Sequence, residues 1–431
     1  MPAETVAPEP PSGARRIAAN ALYRSLADVG SKVASIALYV VMARRLGDTG
    51  FGVFTFALAY VTLVTTLANF GQDLILTREV AREPARVHAY FANTLGLCAA
   101  LALPALAVAL AVAFVADFDP TTRAVVALLG VAIVAELLGD VVFATYQAYE
   151  RLALVPLVLI PQRALTAALG ITALALGAGV VTVAAVYLGV AVLAVGWSFA
   201  LLFGRVVRPR LELRPRGWRD LMRAAVPVGL AGVFTVVLFR VDTAMLAFYE
   251  SDAVVGDYGA AYRLLEATLF VSWSVGAAVY PVLARLTRTS DPPLAVVFAG
   301  SLKLALAVTV PVGVGAGVLA GPLVRLVYGE DFAEAQTALT LLAPAIAVFP
   351  VAYLAGFALV AANRQRRQAV IVGLVMLENV VANLLLIPWL SLDGAALSTS
   401  ISQVLLAAAM LAAYAVAALA IARLSFARRD V

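Results

Sequence analysis

Histidine and cysteine are almost missing from this chain of 431 residues, which has one of each. A single cysteine, Cys98, excludes an internal disulfide, and a single histidine, His88, excludes a zinc site. Lysine is nearly as scarce, with only Lys32 and Lys303 among the basic residues. Neither lysine follows a glycine, so no phosphate-binding loop of the GxxxxGK[ST] kind exists, which argues against ATP hydrolysis. Charge of either sign is sparse at 13%, against 63% hydrophobic residues. With a mean hydropathy of +0.97 the chain is too apolar for a soluble protein of this length. No loop is long enough to fold a catalytic domain. A membrane glycosyltransferase needs a substantial acidic first external loop, whereas only residues 44–50 separate the first two apolar spans. Arg-rich voltage-sensor periodicity and a selectivity filter are also lacking. The chain therefore reads as a membrane protein that is not an enzyme and needs no cofactor.

What is present is a succession of apolar runs long enough, at about 20 residues each, to cross a hydrocarbon core of about 30 Å. Twelve are expected: 18–43, 51–75, 90–115, 123–148, 153–177, 180–204, 225–249, 257–284, 294–320, 336–361, 369–390 and 394–421. The arginines test that count. Loops on one side hold Arg78, Arg82 and Arg86, then Arg151, then Arg364, Arg366 and Arg367. The loop 205–224 adds Arg205, Arg208, Arg210, Arg214, Arg216, Arg219 and Arg223. Loops on the other side hold only Arg44, Arg45, Arg123 and Arg325, and are acidic instead (Asp117, Asp119, Glu250, Asp252, Glu330, Asp331). This is the positive-inside asymmetry, and it places both termini in the cytoplasm. The basic pI near 9.4 is thus a matter of topology and not a nucleic-acid surface.

Residues 1–17, rich in proline at their start, read as a disordered cytoplasmic tail without the basic start of a signal peptide. The arginine-rich loop 205–224 divides the rest into an N-lobe, 18–204, and a C-lobe, 225–421, with a cytoplasmic tail at 422–431. Gly52-Val53-Phe54-Thr55-Phe56-Ala57 and Gly256-Asp257-Tyr258-Gly259-Ala260-Ala261 both read Gly-x-aromatic-x-x-Ala at the start of an even-numbered span. Together with the six-plus-six division they argue for two homologous lobes. The expected fold is all-α and polytopic, with a central cavity between two six-helix lobes.

Polar residues inside the spans are where function should lie. Asn20, Arg24, Asp28, Ser31, Lys32 and Ser35 form one stripe along the first helix. A charge at mid-bilayer costs about 2.5–3.5 kcal/mol on insertion scales, so three on one span cost roughly 7–10 kcal/mol unless they face water or protein. Asn69 and Asp73 lie on span two, and Glu136, Asp140 and Gln147 on span four, with Arg163 near the start of span five. Span seven holds Arg240 and Asp242; span eight, Tyr258, Tyr262, Arg263 and Glu266; span nine, Lys303; span eleven, Glu378, Asn379 and Asn383. Arg24–Asp28 and Arg263–Glu266 have the spacing of helical ion pairs and read equally well as structural clamps. Lys32, Arg240 and Lys303 have no same-helix carboxylate within reach, which makes them the better candidates to meet an anion.

The segments Ala43-Arg44-Arg45-Leu46-Gly47, Gly50-Phe51-Gly52, Asn69-Phe70-Gly71 and Thr77-Arg78-Glu79 carry a resemblance. So do Arg240-Val241-Asp242 and Val255-Gly256-Asp257-Tyr258. The chain resembles the polysaccharide transporter, or Wzx-type oligosaccharide flippase, family of the multidrug/oligosaccharidyl-lipid/polysaccharide (MOP) superfamily. That resemblance implies a MATE-like fold in the cytoplasmic membrane. It also implies an undecaprenyl diphosphate-linked oligosaccharide moved to the outer leaflet by alternating access, with polymerase and glycosyltransferases as possible partners. On this reading Arg24, Lys32, Arg240, Arg263 and Lys303 are expected on the diphosphate, and Asn20, Asn69 and Asn383 on sugar hydroxyls. Asp28, Asp242 and Glu266 are the expected proton or cation couplers. Two other readings compete: a cation-coupled drug or metabolite exporter that binds through its carboxylates, and a non-transporting scaffold of an envelope-synthesis complex.

Overall fold

The computed structural model describes residues 13–210, 212–286, 294–362 and 364–427, excepting the side chains of 13–29, 227–228, 277–278, 280–286, 294 and 419–427. The described residues form helices and short connections, with no strand among them. The first half comprises α1 (Gly13–Thr65), α2 (Gln72–Arg82), α3 (Val87–Val115), α4 (Pro120–Ala148), α5 (Pro156–Ala175) and α6 (Val180–Arg205). The second comprises α7 (Trp218–Tyr249), α8 (Asp252–Leu286), α9 (Leu294–Val318), α10 (Ala320–Val327), α11 (Ala335–Ala361) and α12 (Gln365–Ala427). α1 begins at Gly13 and α12 runs to Ala427, so helix extends into both segments expected as tails (1–17 and 422–431). Residues 1–12 and 428–431 lie outside the described residues.

The expected twelve spans are recovered once two breaks are recognised. Among the described residues 9 helices are long and apolar enough to cross a membrane. Two of these are double. Gly30–Ala68 turns back at Gly47 (φ 68°), a left-handed conformation that glycine adopts without strain. Gln365–Ala418 breaks at Ser391 (φ 54°). The twelfth is α8, 35 residues long, whose charged first half (Asp252, Asp257, Arg263 and Glu266) is followed by the uncharged apolar run 267–284. Large apolar side chains face outward along the helices, among them Leu103, Leu193, Leu304, Leu385 and Trp389. A bilayer covers such a surface at no cost.

The connections have local causes. α4 starts at Pro120 because Asp119 caps it, accepting from Thr121 N at 2.7 Å and Thr122 N at 3.1 Å. The linker between the halves is tied to α3. His88 Nδ1 accepts from Arg210 N at 3.1 Å, and Asn93 Oδ1 accepts from Arg214 N at 2.7 Å and Trp218 Nε1 at 3.0 Å. The sole histidine is thus a strap for the linker. This face is the linker end; the face with the breaks at Gly47 and Ser391 is the loop end.

At the loop end one apolar core runs through both halves. Phe51 and Phe54 of α1 share it with Tyr258 of α8 and with Tyr328, Phe332 and Leu339. Phe51 and Phe332 meet edge-on at 5.8 Å between ring centroids. Three of the arginines on this face, exceptions to the charge rule, have local partners. Arg44 donates through Nε to Val327 O at 2.8 Å and through Nη2 to Leu326 O, at the carboxyl end of α10. Arg123 pairs with Asp117 at 2.6 Å and Arg325 with Glu330 at 3.4 Å.

Candidate functional site

Between the halves lies a cavity of about 570 Å³. The stripe on α1 supplies one wall through Ser31, Lys32, Ser35 and Tyr39. Lys32 Nζ stands 3.3 Å from the centroid of the Trp273 ring on α8, a cation–π contact across the two halves. The C-terminal half contributes Arg240, Arg263 and Glu266. Glu266 holds both guanidiniums, Arg240 at 3.1 Å and Arg263 at 2.5 Å. The guanidinium of Arg263 also lies 4.3 Å from the Tyr39 ring centroid, which again joins the halves.

The N-terminal half repeats this device with different residues. Glu136 of α4 receives Arg163 of α5 at 3.1 Å and Gln162 Nε2 at 2.6 Å. Arg163 also donates to the Tyr187 hydroxyl at 2.6 Å. In the N-terminal half one carboxylate meets one guanidinium; in the C-terminal half Glu266 fixes two, so the excess charge comes from there and from Lys32. Lys32, Arg163, Arg240 and Arg263 face Glu136 and Glu266, so the described lining has two more positive than negative charges. In a low-dielectric setting such an excess attracts an anion strongly.

Of the residues expected to bind substrate, Lys32, Arg240 and Arg263 come together here, joined by Glu266. The side chains of Asn20, Arg24 and Asp28 lie outside the described residues. Three others do not line the cavity. Asn69 ends the short turn after α1. Lys303 is exposed on α9, and Asn383 is fully buried on α12, donating to Asn379 Oδ1 at 3.1 Å. Asp242 also stands apart. It follows Arg240 by two residues, about 200° round the helix, and faces into the C-terminal half. There its carboxylate accepts from Tyr258, from Thr399 at 3.0 Å and from Thr243 N at 2.6 Å, all neutral donors.

Sequence reasoning noted Glu136 and Arg163 without assigning them, and it passed over Tyr39, Tyr187 and Trp273. For Tyr39 a signal existed: it stands four residues after Ser35 and seven after Lys32, on the same stripe, but was counted with the apolar residues. Nothing in the sequence pairs Arg240 with a carboxylate on the next helix.

The family model for "Polysaccharide biosynthesis protein" matches residues 17–287, more than half of the chain. The chain belongs to that family. It is 21% identical over 212 residues to a probable low-salt glycan biosynthesis flippase, Agl15, of Haloferax volcanii. That match spans 49% of this chain and 44% of the relative, so less than half of the relative's length is covered. The fold is that of MOP superfamily transporters. It superposes on an inward-facing multidrug resistance MATE transporter with a TM-score of 0.75 at 14% identity, over 91% of this chain and 96% of that one. Against the lipid II flippase MurJ in an inward closed conformation the TM-score is also 0.75 at 14% identity, over 94% and 90%. This family member is thus a multi-pass membrane protein with a transporter fold.

Proposed function

We propose that this protein is a flippase that carries a lipid-linked oligosaccharide, on a carrier of the undecaprenyl diphosphate type, from the cytoplasmic to the outer leaflet for surface polysaccharide biosynthesis. The observation that carries this reading is the excess of two positive charges in a cavity shared by both halves. A diphosphate brings a complementary charge and cannot cross hydrocarbon unaided, since desolvating one ion costs several kcal/mol. Lys32, Arg163, Arg240 and Arg263 would hold it, with the prenyl tail left in lipid between the lobes. The flippases among the similar proteins support the same reading. A cationic drug, by contrast, would meet net repulsion in this cavity.

The arginines of the linker end support a cytoplasmic position for that end and for both termini. The sealed loop end then corresponds to a state cut off from the outer surface. For coupling, Asp242 is the better-placed carboxylate: Glu266 already holds two arginines, whereas Asp242 is met only by neutral donors. Polysaccharide polymerase and glycosyltransferases are the partners this role would bring. The test is deletion of the gene followed by analysis of lipid-linked intermediates. Accumulation of a diphosphate-linked oligosaccharide facing the cytoplasm is expected. An unchanged pool of such lipids, with altered drug efflux, would favour the exporter instead.

A further inference from the structure

A second cavity, about 630 Å³, lies wholly within the N-terminal half and shares a wall with the first. Glu136 and Arg163 line both. Its volume falls in the range of small-molecule sites, about 300–1,000 Å³. Its chemistry is the reverse of the central cavity's. Asp73 of α2 and Glu136 and Asp140 of α4 outnumber the single cation, Arg163. Carboxamides accompany them, from Gln147 and Gln162, and Phe143 contributes an aromatic ring.

Glu136, Gln162 and Arg163 bond one another between α4 and α5, and Asp73, Asp140 and Gln147 line the cavity beside them. Asp140 and, at the linker end of the same helix, Gln147 are exposed side chains that line the cavity. A carboxylate that faces a cavity from within a membrane-spanning helix marks a polar ligand or pathway. The ligand is not a phosphate, which the carboxylates would repel. Nor do the acidic side chains converge on a metal ion: among the described residues no group of three or more His, Cys, Asp or Glu is placed to hold one. A neutral, hydroxyl-rich ligand fits. Its hydroxyls donate to carboxylates and to amide oxygens, accept from amide N–H groups, and its C–H face packs on an aromatic ring.

We propose that this cavity is the glycan subsite: the diphosphate rests among the arginines and Lys32, and the sugars attached to it pass the Arg163–Glu136 pair into the N-terminal half. The inference rests on the flippase reading above and adds where the sugars go. It replaces Asn69 and Asn383, which line neither cavity, with Asp140, Gln147 and their neighbours. It also divides the labour between halves. The C-terminal half reads only the diphosphate, whereas α2, α4, α5 and α6 read the glycan and set which one is carried.

The experiment measures binding to the purified full-length protein with two probes. One is the lipid-linked oligosaccharide extracted from a strain lacking the gene; the other is undecaprenyl diphosphate. The wild type should bind the first at least about tenfold more tightly. Asp140→Asn and Gln147→Ala should each erase that ratio while leaving affinity for undecaprenyl diphosphate unchanged, and Lys32→Ala should weaken both probes in parallel. If the wild type binds both probes equally, or the variants keep the ratio, or both affinities fall together, the subsite is wrong while the flippase reading stands. If the wild type binds neither, that reading falls as well.

Discussion

Gly52 of α1 and Gly256 of α8 meet backbone to backbone at the loop end. A Cβ on Gly52 would overlap the carbonyl oxygen of Asp252, and one on Gly256 would overlap that of Asp48. The contact is reciprocal, and the two glycines are the first residues of the repeated Gly-x-aromatic-x-x-Ala element. A sequence repeat is thus a structural seal, made of the same position in each half.

The seal leads to a first prediction. Neither overlap involves a side chain that could swing away, so Gly52→Ala or Gly256→Ala must push the halves apart at this end. Alkylation of a cysteine placed at Thr55, which packs under Gly259, should speed up several-fold in either variant, in a Cys98→Ala background. Unchanged alkylation would show that the halves do not part there.

The cavity predicts which cations matter. Lys32→Ala and Arg240→Ala should abolish complementation of a deletion strain at unchanged expression. Lys303→Ala should complement fully, because Lys303 is exposed on α9 and lines no part of the cavity. Sequence alone had grouped all three; equal loss in all three would restore that grouping.

Glu266 is a shared anchor. Removing one partner of a buried ion pair costs about 3–5 kcal/mol. The side chains of Arg240, Arg263 and Glu266 keep 13% to 24% exposure, so the lower end applies. Thermal unfolding in detergent should therefore show Glu266→Ala clearly destabilised and Glu266→Gln much less so. Glu266→Gln also removes a negative charge from the cavity and should tighten diphosphate binding while slowing its release.

Asp119 is a cap with a pH signature. Partial burial raises its pKa, but the bonds donated by Thr122 and Thr121 outweigh that and hold it below the usual carboxylate range. Its contribution is therefore complete above the unfolded pKa and is lost as pH falls through the depressed folded value. Asp119→Ala should cost about 1 kcal/mol at neutral pH. That difference should shrink in strong acid, as followed by thermal unfolding across pH.

The architecture was legible because apolar length and arginine placement record the bilayer directly. Even α8, whose first half carries Asp252, Asp257, Arg263 and Glu266, keeps the uncharged apolar run 267–284 that marks it as a span. The site was legible only by helix face. Periodicity put Lys32 on a polar stripe, but it could not show that Trp273 lies across from it or that Arg240 shares Glu266 with Arg263. Asn383 has the same kind of signal as Arg240, a polar residue on a span, yet it is spent on Asn379. Which neighbour a polar face meets depends on how the helices cross, and each helix's own sequence is silent about that.

The central claim is that this cavity carries a lipid diphosphate across the membrane. It is tested most directly by reconstituting the purified protein in liposomes with a fluorescent lipid-linked oligosaccharide and measuring its loss from one leaflet. The wild type should move the lipid, and Lys32→Ala and Arg240→Ala should not, at equal incorporation. Movement that is the same in wild type, both variants and empty liposomes would contradict the account.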